Sequence, residues 1–77
     1  MNPSIGRIVI ARVDSLQNNG ASEAPAIITR VWGPNMVNLR VMVDTAAMPL
    51  SQTSVKLFES EEAADGTLLA CWWPARA

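Results

Sequence analysis

Along residues 26–43, AIITRVWGPNMVNLRVMV, apolar and polar positions alternate in a way that organises the rest of the chain. In the second half Val37, Leu39, Val41 and Val43 fall on one side, and Met36, Asn38, Arg40 and Met42 on the other. A period of two marks a strand with one buried face. The first half reads as a partner strand, with Ala26, Ile28, Arg30 and Trp32 on one face and Ile27, Thr29 and Val31 on the other. Between the two stand Gly33, Pro34 and Asn35. Proline cannot donate to a ladder, and Gly and Asn tolerate positive φ, so this trio specifies a tight turn.

The same reading finds three more strands. Residues 6–13, GRIVIARV, are rich in β-branched side chains, with Ile8 and Ile10 on one face and Arg7, Val9, Ala11 and Val13 on the other. That imperfect alternation predicts burial over much of both faces. Residues 53–58, TSVKLF, alternate again, and residues 67–73, TLLACWW, form a last strand stopped by Pro74. The connectors are polar. Residues 14–25 carry Asn18, Asn19 and Gly20 and read as a solvated loop, with a short helical attempt over 15–18. Residues 44–52 are a second loop broken by Pro49, and the acidic run 59–66 is either one helical turn capped by Gly66 or a polar loop.

Five short strands at spacings of roughly ten residues predict an all-β fold, a small closed or half-closed barrel. An SH3-like barrel is the first choice and an OB-like barrel the second. Closure removes the exposed edges that so apolar a chain would otherwise present.

Composition changes this picture in one respect. The chain has 77 residues, enough for one domain (1–77) with a modest core. Its lone Cys71 excludes an internal disulfide, and with no His and one Cys there is no zinc set. The apolar content is 49%, high for a monomer of this size, so a homo-oligomer is expected. No secretory signal is visible, and no apolar run approaches the ~20 residues of a membrane helix. The expected location is therefore the cytoplasm.

Candidate chemistry is that of binding. Without His there is no base for neutral pH, and the hydroxyls have no evident activating partner. There is no Walker loop, no dinucleotide fingerprint and no metal-ligand cluster, so neither catalysis, a cofactor nor a metal is expected. A net charge of −1 argues against DNA or RNA, whose binding depends on neutralising many phosphates, but leaves room for one small anion. Trp32, Trp72 and Trp73 offer stacking surfaces, and an arginine offers a fork for phosphate. Arg30 and Trp32, two residues apart on one strand face, suit a shared site; Arg7 follows Gly6, where backbone can approach a ligand. Taken singly, Arg7, Arg12, Arg30 and Arg40 also read as surface or ion-paired groups, and Trp32 as core or interface. Trp72 and Trp73 point to opposite faces, one into the core and the other onto a partner or a site. Cys71 reads as a small buried hydrophobe, and Met36, Met42 and Met48 as interface or gap-filling residues.

Pro3-Ser4-Ile5-Gly6-Arg7-Ile8-Val9 resembles the opening of a widespread family of small phage and prophage proteins that begin P-S-[IV]-G-R-I-V. Further matches lie in 26–32, in Val37-Asn38-Leu39, in Thr53-Ser54-Val55 and in Trp73-Pro74. Where that family often has His-Tyr after the opening, this chain has Ile10-Ala11. Some small phage β-proteins look like sponges for the cyclic nucleotides of host antiphage signalling (CBASS and its relatives). The resemblance then implies an oligomer that holds a cyclic dinucleotide uncleaved. It implies Ser4 and Arg7 at phosphate or base edge, Trp32 or Trp73 stacked on a base, and Asn38 and Thr53 as hydrogen-bonding specificity residues. Arg30 and Arg40 complete the expected ligand-binding set. An adaptor that contacts a host or virion protein through an apolar barrel face is the alternative.

Overall fold

The computed structural model describes residues 2–44 and 50–74, with five strands: β1 (Ile8–Arg12), β2 (Glu23–Gly33), β3 (Met36–Val41), β4 (Leu50–Phe58) and β5 (Ala70–Trp72). They close into a barrel in sequential order, β1-β2-β3-β4-β5, with β5 returning to β1. The expected all-β barrel is what forms. Sequential neighbours are not the Greek key of an OB barrel, which leaves the SH3-like choice. All pairings are antiparallel except β4 with β5, which is parallel and joins Lys56, Leu57 and Phe58 to Ala70, Cys71 and Trp72.

Alternation sets the inside. Val9 and Ala11 of β1, Ala24, Ala26 and Ile28 of β2, and Val37, Leu39 and Val41 of β3 are buried together with Val55, Leu57, Cys71 and Trp73. Val43 lies on the inward side, as its position in the pattern predicts, and packs against this core partly buried. Each fully buried aliphatic side chain contributes roughly 1.5–3 kcal/mol. A one-residue slip would turn a whole strand's apolar set outward, so the pattern enforces the register.

β2 departs from the expected alternation. Ile28 pairs with Leu39 but Arg30 with Asn38, and Val31 pairs with Val37 but Gly33 with Met36. Thr29 and Trp32 are thus extra residues in two bulges, which bend a strand and re-aim its side chains. Ala26 and Ile28 point inward, while Arg30 and Trp32, expected on that same face, stand outside; Val31, expected opposite, packs against the core. β4 carries a further bulge, since Val37 pairs with Val55 but Leu39 with Gln52. It contains Ser54, whose φ of 54° is left-handed.

β5 is shorter than the expected strand: only residues 70–72 pair, and Leu68 and Leu69 are exposed. β4 is longer, reaching back to Leu50. Pro49 and Met48 lie outside the described residues. β1 is covered unevenly, with Ile8 exposed and Ile10 half-buried, so burial on both faces holds only for its second half. The 59–66 run is a chain of turns. Ala64 N–H donates to the carbonyls of Ser60 and Glu61, Thr67 N–H donates to Ala64, and Gly66 takes the positive φ (82°) that ends it. Its Ala64 is fully buried and packs with Trp72, Ala70, Ile10 and Phe58 in a second small core outside the barrel.

The 14–25 connector is not simply solvated. It makes one 3₁₀ turn, Ser15–Gln17, capped by Asp14, whose Oδ1 accepts from Leu16 N–H at 2.9 Å. Asn18 then turns inward and is 3% exposed. Its Nδ2 donates to the carbonyls of Ala21 (3.2 Å) and Glu23 (2.8 Å), and its Oδ1 accepts from Asp44 N–H (2.6 Å). One side chain thereby ties this loop to the segment that follows β3.

Candidate functional site

The bulges gather most of the expected binding residues on one outward surface of β2, β3 and β4. Arg30 lies opposite Asn38 in the ladder. Trp32, the extra residue of its bulge, is 56% exposed, so it is not core. The Arg30 guanidinium carbon sits 4.3 Å from the Trp32 ring centroid, a close cation–π stack. Trp32 Nε1 donates to Asn38 Oδ1 at 2.8 Å, and the same oxygen accepts from Ser54 N–H at 2.9 Å. Asn38 therefore fixes the indole and the β4 bulge together. An exposed tryptophan with its N–H engaged and a cation on its face is preorganised, so little rotamer freedom remains to be lost on stacking with a ligand.

Arg40 is exposed two residues further along β3, on the same outward side, beside Ile27 and Ser51 in the ladder. Thr53, also exposed, belongs to the β4 bulge next to Ser54. Ile27 of β2 and Met36 of β3 add exposed apolar area, as do Met42 just past β3 and Ile8 of β1, which pairs with Ile27. The surface is a platform on the outside of a barrel.

The other expected residues lie elsewhere. Arg7 and Trp73 meet each other, with the Arg7 guanidinium 5.3 Å from the Trp73 ring, at the end of the barrel near Asn35 and Leu57. Trp73 is 5% exposed and belongs to the main core, so it serves packing. Ser4 is exposed in the lead to β1, and its carbonyl accepts from Arg7 N–H at 3.2 Å. Gly6, with φ of 95°, makes the turn that lets its N–H reach Ile28 O at 2.8 Å, and Arg7 O accepts from Ile28 N–H. The hollow beside Trp73 at that end is about 20 Å³, too small for a nucleotide. The hollow of about 430 Å³ that Trp73 borders with Trp72 is walled by Glu23, Glu59, Glu61 and Glu62, which would repel a phosphate.

Trp72 faces the opposite way from Trp73, as adjacent strand residues must, but is covered by this chain's own 59–66 turns. Arg12 caps it, 5.2 Å from its ring, and donates through Nη2 to Ala64 O at 3.2 Å. Nothing in the residue pattern marks Arg12 of β1 as held by a segment more than fifty residues away. Cys71 is buried, and desolvation pushes its thiol from 9.0 up to about 12, which leaves it a poor nucleophile. Among the described residues no three His, Cys, Asp or Glu side chains group as metal ligands, and no helix is long and apolar enough to cross a membrane.

No protein-family model, curated protein or solved structure matches this chain.

Proposed function

We propose that this chain is a non-enzymatic phage protein that sequesters a small nucleotide signal, such as a cyclic dinucleotide, on the β2–β3–β4 platform to blunt host antiphage defence. The observation that carries this reading is the Arg30–Trp32 stack locked by Asn38. A base stacks on the free side of the indole, or on the guanidinium plane, and Arg30 and Arg40 meet phosphate oxygens. The resemblance of residues 3–9 to small phage proteins supports the biological setting. A platform has one wall. The second wall comes from another copy of the chain, whose exposed Ile8, Ile27 and Met42 would be covered in the same contact.

Calorimetric titration against cyclic di- and trinucleotides, followed by denaturation and chromatography of the ligand, tests this reading. Tight binding with intact ligand returned is expected. Trp32→Ala should weaken it roughly 5- to 150-fold, the value of about 1–3 kcal/mol for one stacked base, with the fold intact by circular dichroism. Cleaved ligand would mean an enzyme. No heat from folded protein would favour the second reading, a protein adaptor, which rests on the cross-strand pair of exposed Ile8 and Ile27.

A further inference from the structure

The outer platform presents hydrogen-bond donors and no carboxylate. Residues 24–43 and 50–58, which supply β2 after its first residue, β3 and β4, contain no Asp or Glu. Glu23, the first residue of β2, pairs with Arg12 at the end of the strand remote from Trp32. Arg30 and Arg40 are exposed, and neither makes a hydrogen bond or an ion pair with the described residues. Arg30 is held only by its stack on Trp32.

Asn38 decides what such a surface can read. Its Oδ1 accepts from Trp32 Nε1–H at 2.8 Å and from Ser54 N–H at 2.9 Å. An indole N–H and a backbone N–H can only donate, so the carbonyl end of the amide must face them and the group cannot be flipped. Both lone pairs of that oxygen are occupied. The other end of the amide carries two N–H donors. It has no hydrogen-bond partner among the described residues, and it is not among their buried unpaired atoms, so it is open to solvent. Val37 and Leu39 turn inward, which leaves Asn38 on the outer side of β3. The bond to Trp32 Nε1 sets this amide at the rim of the indole, and so at the edge of any base stacked there.

We infer that the base held on Trp32 is guanine, and that the Asn38 amide selects it over adenine. The assignment rests on the nucleotide reading of the platform. Guanine carries two neighbouring acceptors on one edge, O6 and N7, and the Asn38 NH₂ donates to them. Adenine has an amino group where guanine has O6, so donor would meet donor. The usual pairing of asparagine with adenine uses the amide oxygen for N6–H and the amide nitrogen for N7. Here that oxygen is engaged twice, and the pairing would break its bond to Trp32 or to Ser54.

The test is nitrogen-15 NMR titration of the full chain, following the Asn38 side-chain NH₂ and the Trp32 indole N–H. The probes are cyclic di-GMP, cyclic di-AMP and the hypoxanthine analogue, cyclic di-IMP, which keeps O6 and N7. Cyclic di-GMP and cyclic di-IMP should shift both signals saturably and bind at least about tenfold more tightly than cyclic di-AMP. Asn38→Asp keeps an oxygen for Trp32 and Ser54 but replaces the donor end by an acceptor. With the Trp32 signal in place, this variant should lose the preference for cyclic di-GMP over cyclic di-AMP. No binding of any probe to folded protein would remove the nucleotide reading, and this assignment with it. Binding at Trp32 with cyclic di-AMP as tight as cyclic di-GMP would overturn the guanine assignment alone. So would weak binding of cyclic di-IMP, or an unchanged preference in Asn38→Asp.

Discussion

Two asparagines in this chain do opposite work, and neither is distinguishable from the other by residue type. Asn38 faces outward and holds a tryptophan in place for contact with something else, through one oxygen that accepts from Trp32 Nε1 and Ser54 N–H. Asn18 faces inward and holds the chain to itself through three hydrogen bonds. Replacing Asn18 by Ala strands Asp44 N–H and the Glu23 carbonyl in a part-buried setting, where each unsatisfied group costs about 1–3 kcal/mol. Asn18→Ala should therefore lower unfolding stability by about 2–3 kcal/mol in urea titration while leaving ligand binding at Trp32 unchanged. A change under about 0.5 kcal/mol, the ordinary size of a surface substitution, would show that Asn18 is not the tie between these segments.

At the level of elements, the bulges decide which residues form the platform. A regular β2 would send Arg30 and Trp32 inward with Ile28; the extra residue Thr29 reverses them, and the bulge at Trp32 leaves that residue protruding. The β4 bulge places Ser54 N–H against Asn38 at the expense of a left-handed φ of 54°. Non-glycine residues hold such a conformation at a cost of order 1–3 kcal/mol, part of which glycine returns in the greater freedom of its unfolded chain. Ser54→Gly keeps the backbone N–H and should stabilise the protein by up to about 1 kcal/mol, raising its Tm by roughly 4–8 °C. A lower Tm in calorimetry would mean that the Ser54 side chain contributes more than its backbone strain removes.

For the whole molecule, the barrel interior is dry enough to impose a pH dependence. The Cys71 thiol ionises near 9.0 in ordinary surroundings and near 12 in the fold, because burial disfavours the thiolate. Below pH 9 both folded and unfolded chains keep the proton, and stability is complete. Above it the unfolded chain releases its proton first, so stability falls with rising pH until the folded thiol also ionises near 12. The slope is about 1.4 kcal/mol per pH unit. Denaturant melts at pH 8, 9, 10 and 11 should show this fall in the natural chain and lose its thiol component in Cys71→Ala. Parallel slopes in the two proteins would place the titration in another group. Against a domain stability of about 5–15 kcal/mol, such a loss is large.

On β1 the alternation of apolar residues separated two faces without deciding which turns inward, but it was enough to determine the all-β class, the β2–β3 hairpin and the inward face of β3. These follow from a period of two and from turn chemistry, which are local properties that neighbouring residues impose on one another. The grouping of Arg30, Trp32 and Asn38 was only half legible. Spacing put the first two on one side, but whether that side faces core or solvent depends on bulges in the pairing of β2 with β3 and of β4 with β3. Arg12 over Trp72, Arg7 over Trp73 and the inward Asn18 were decided by tertiary structure alone. Each depends on segments far apart in the chain, brought together by barrel closure, and a polar side chain's position in sequence does not record which distant carbonyl or ring will meet it.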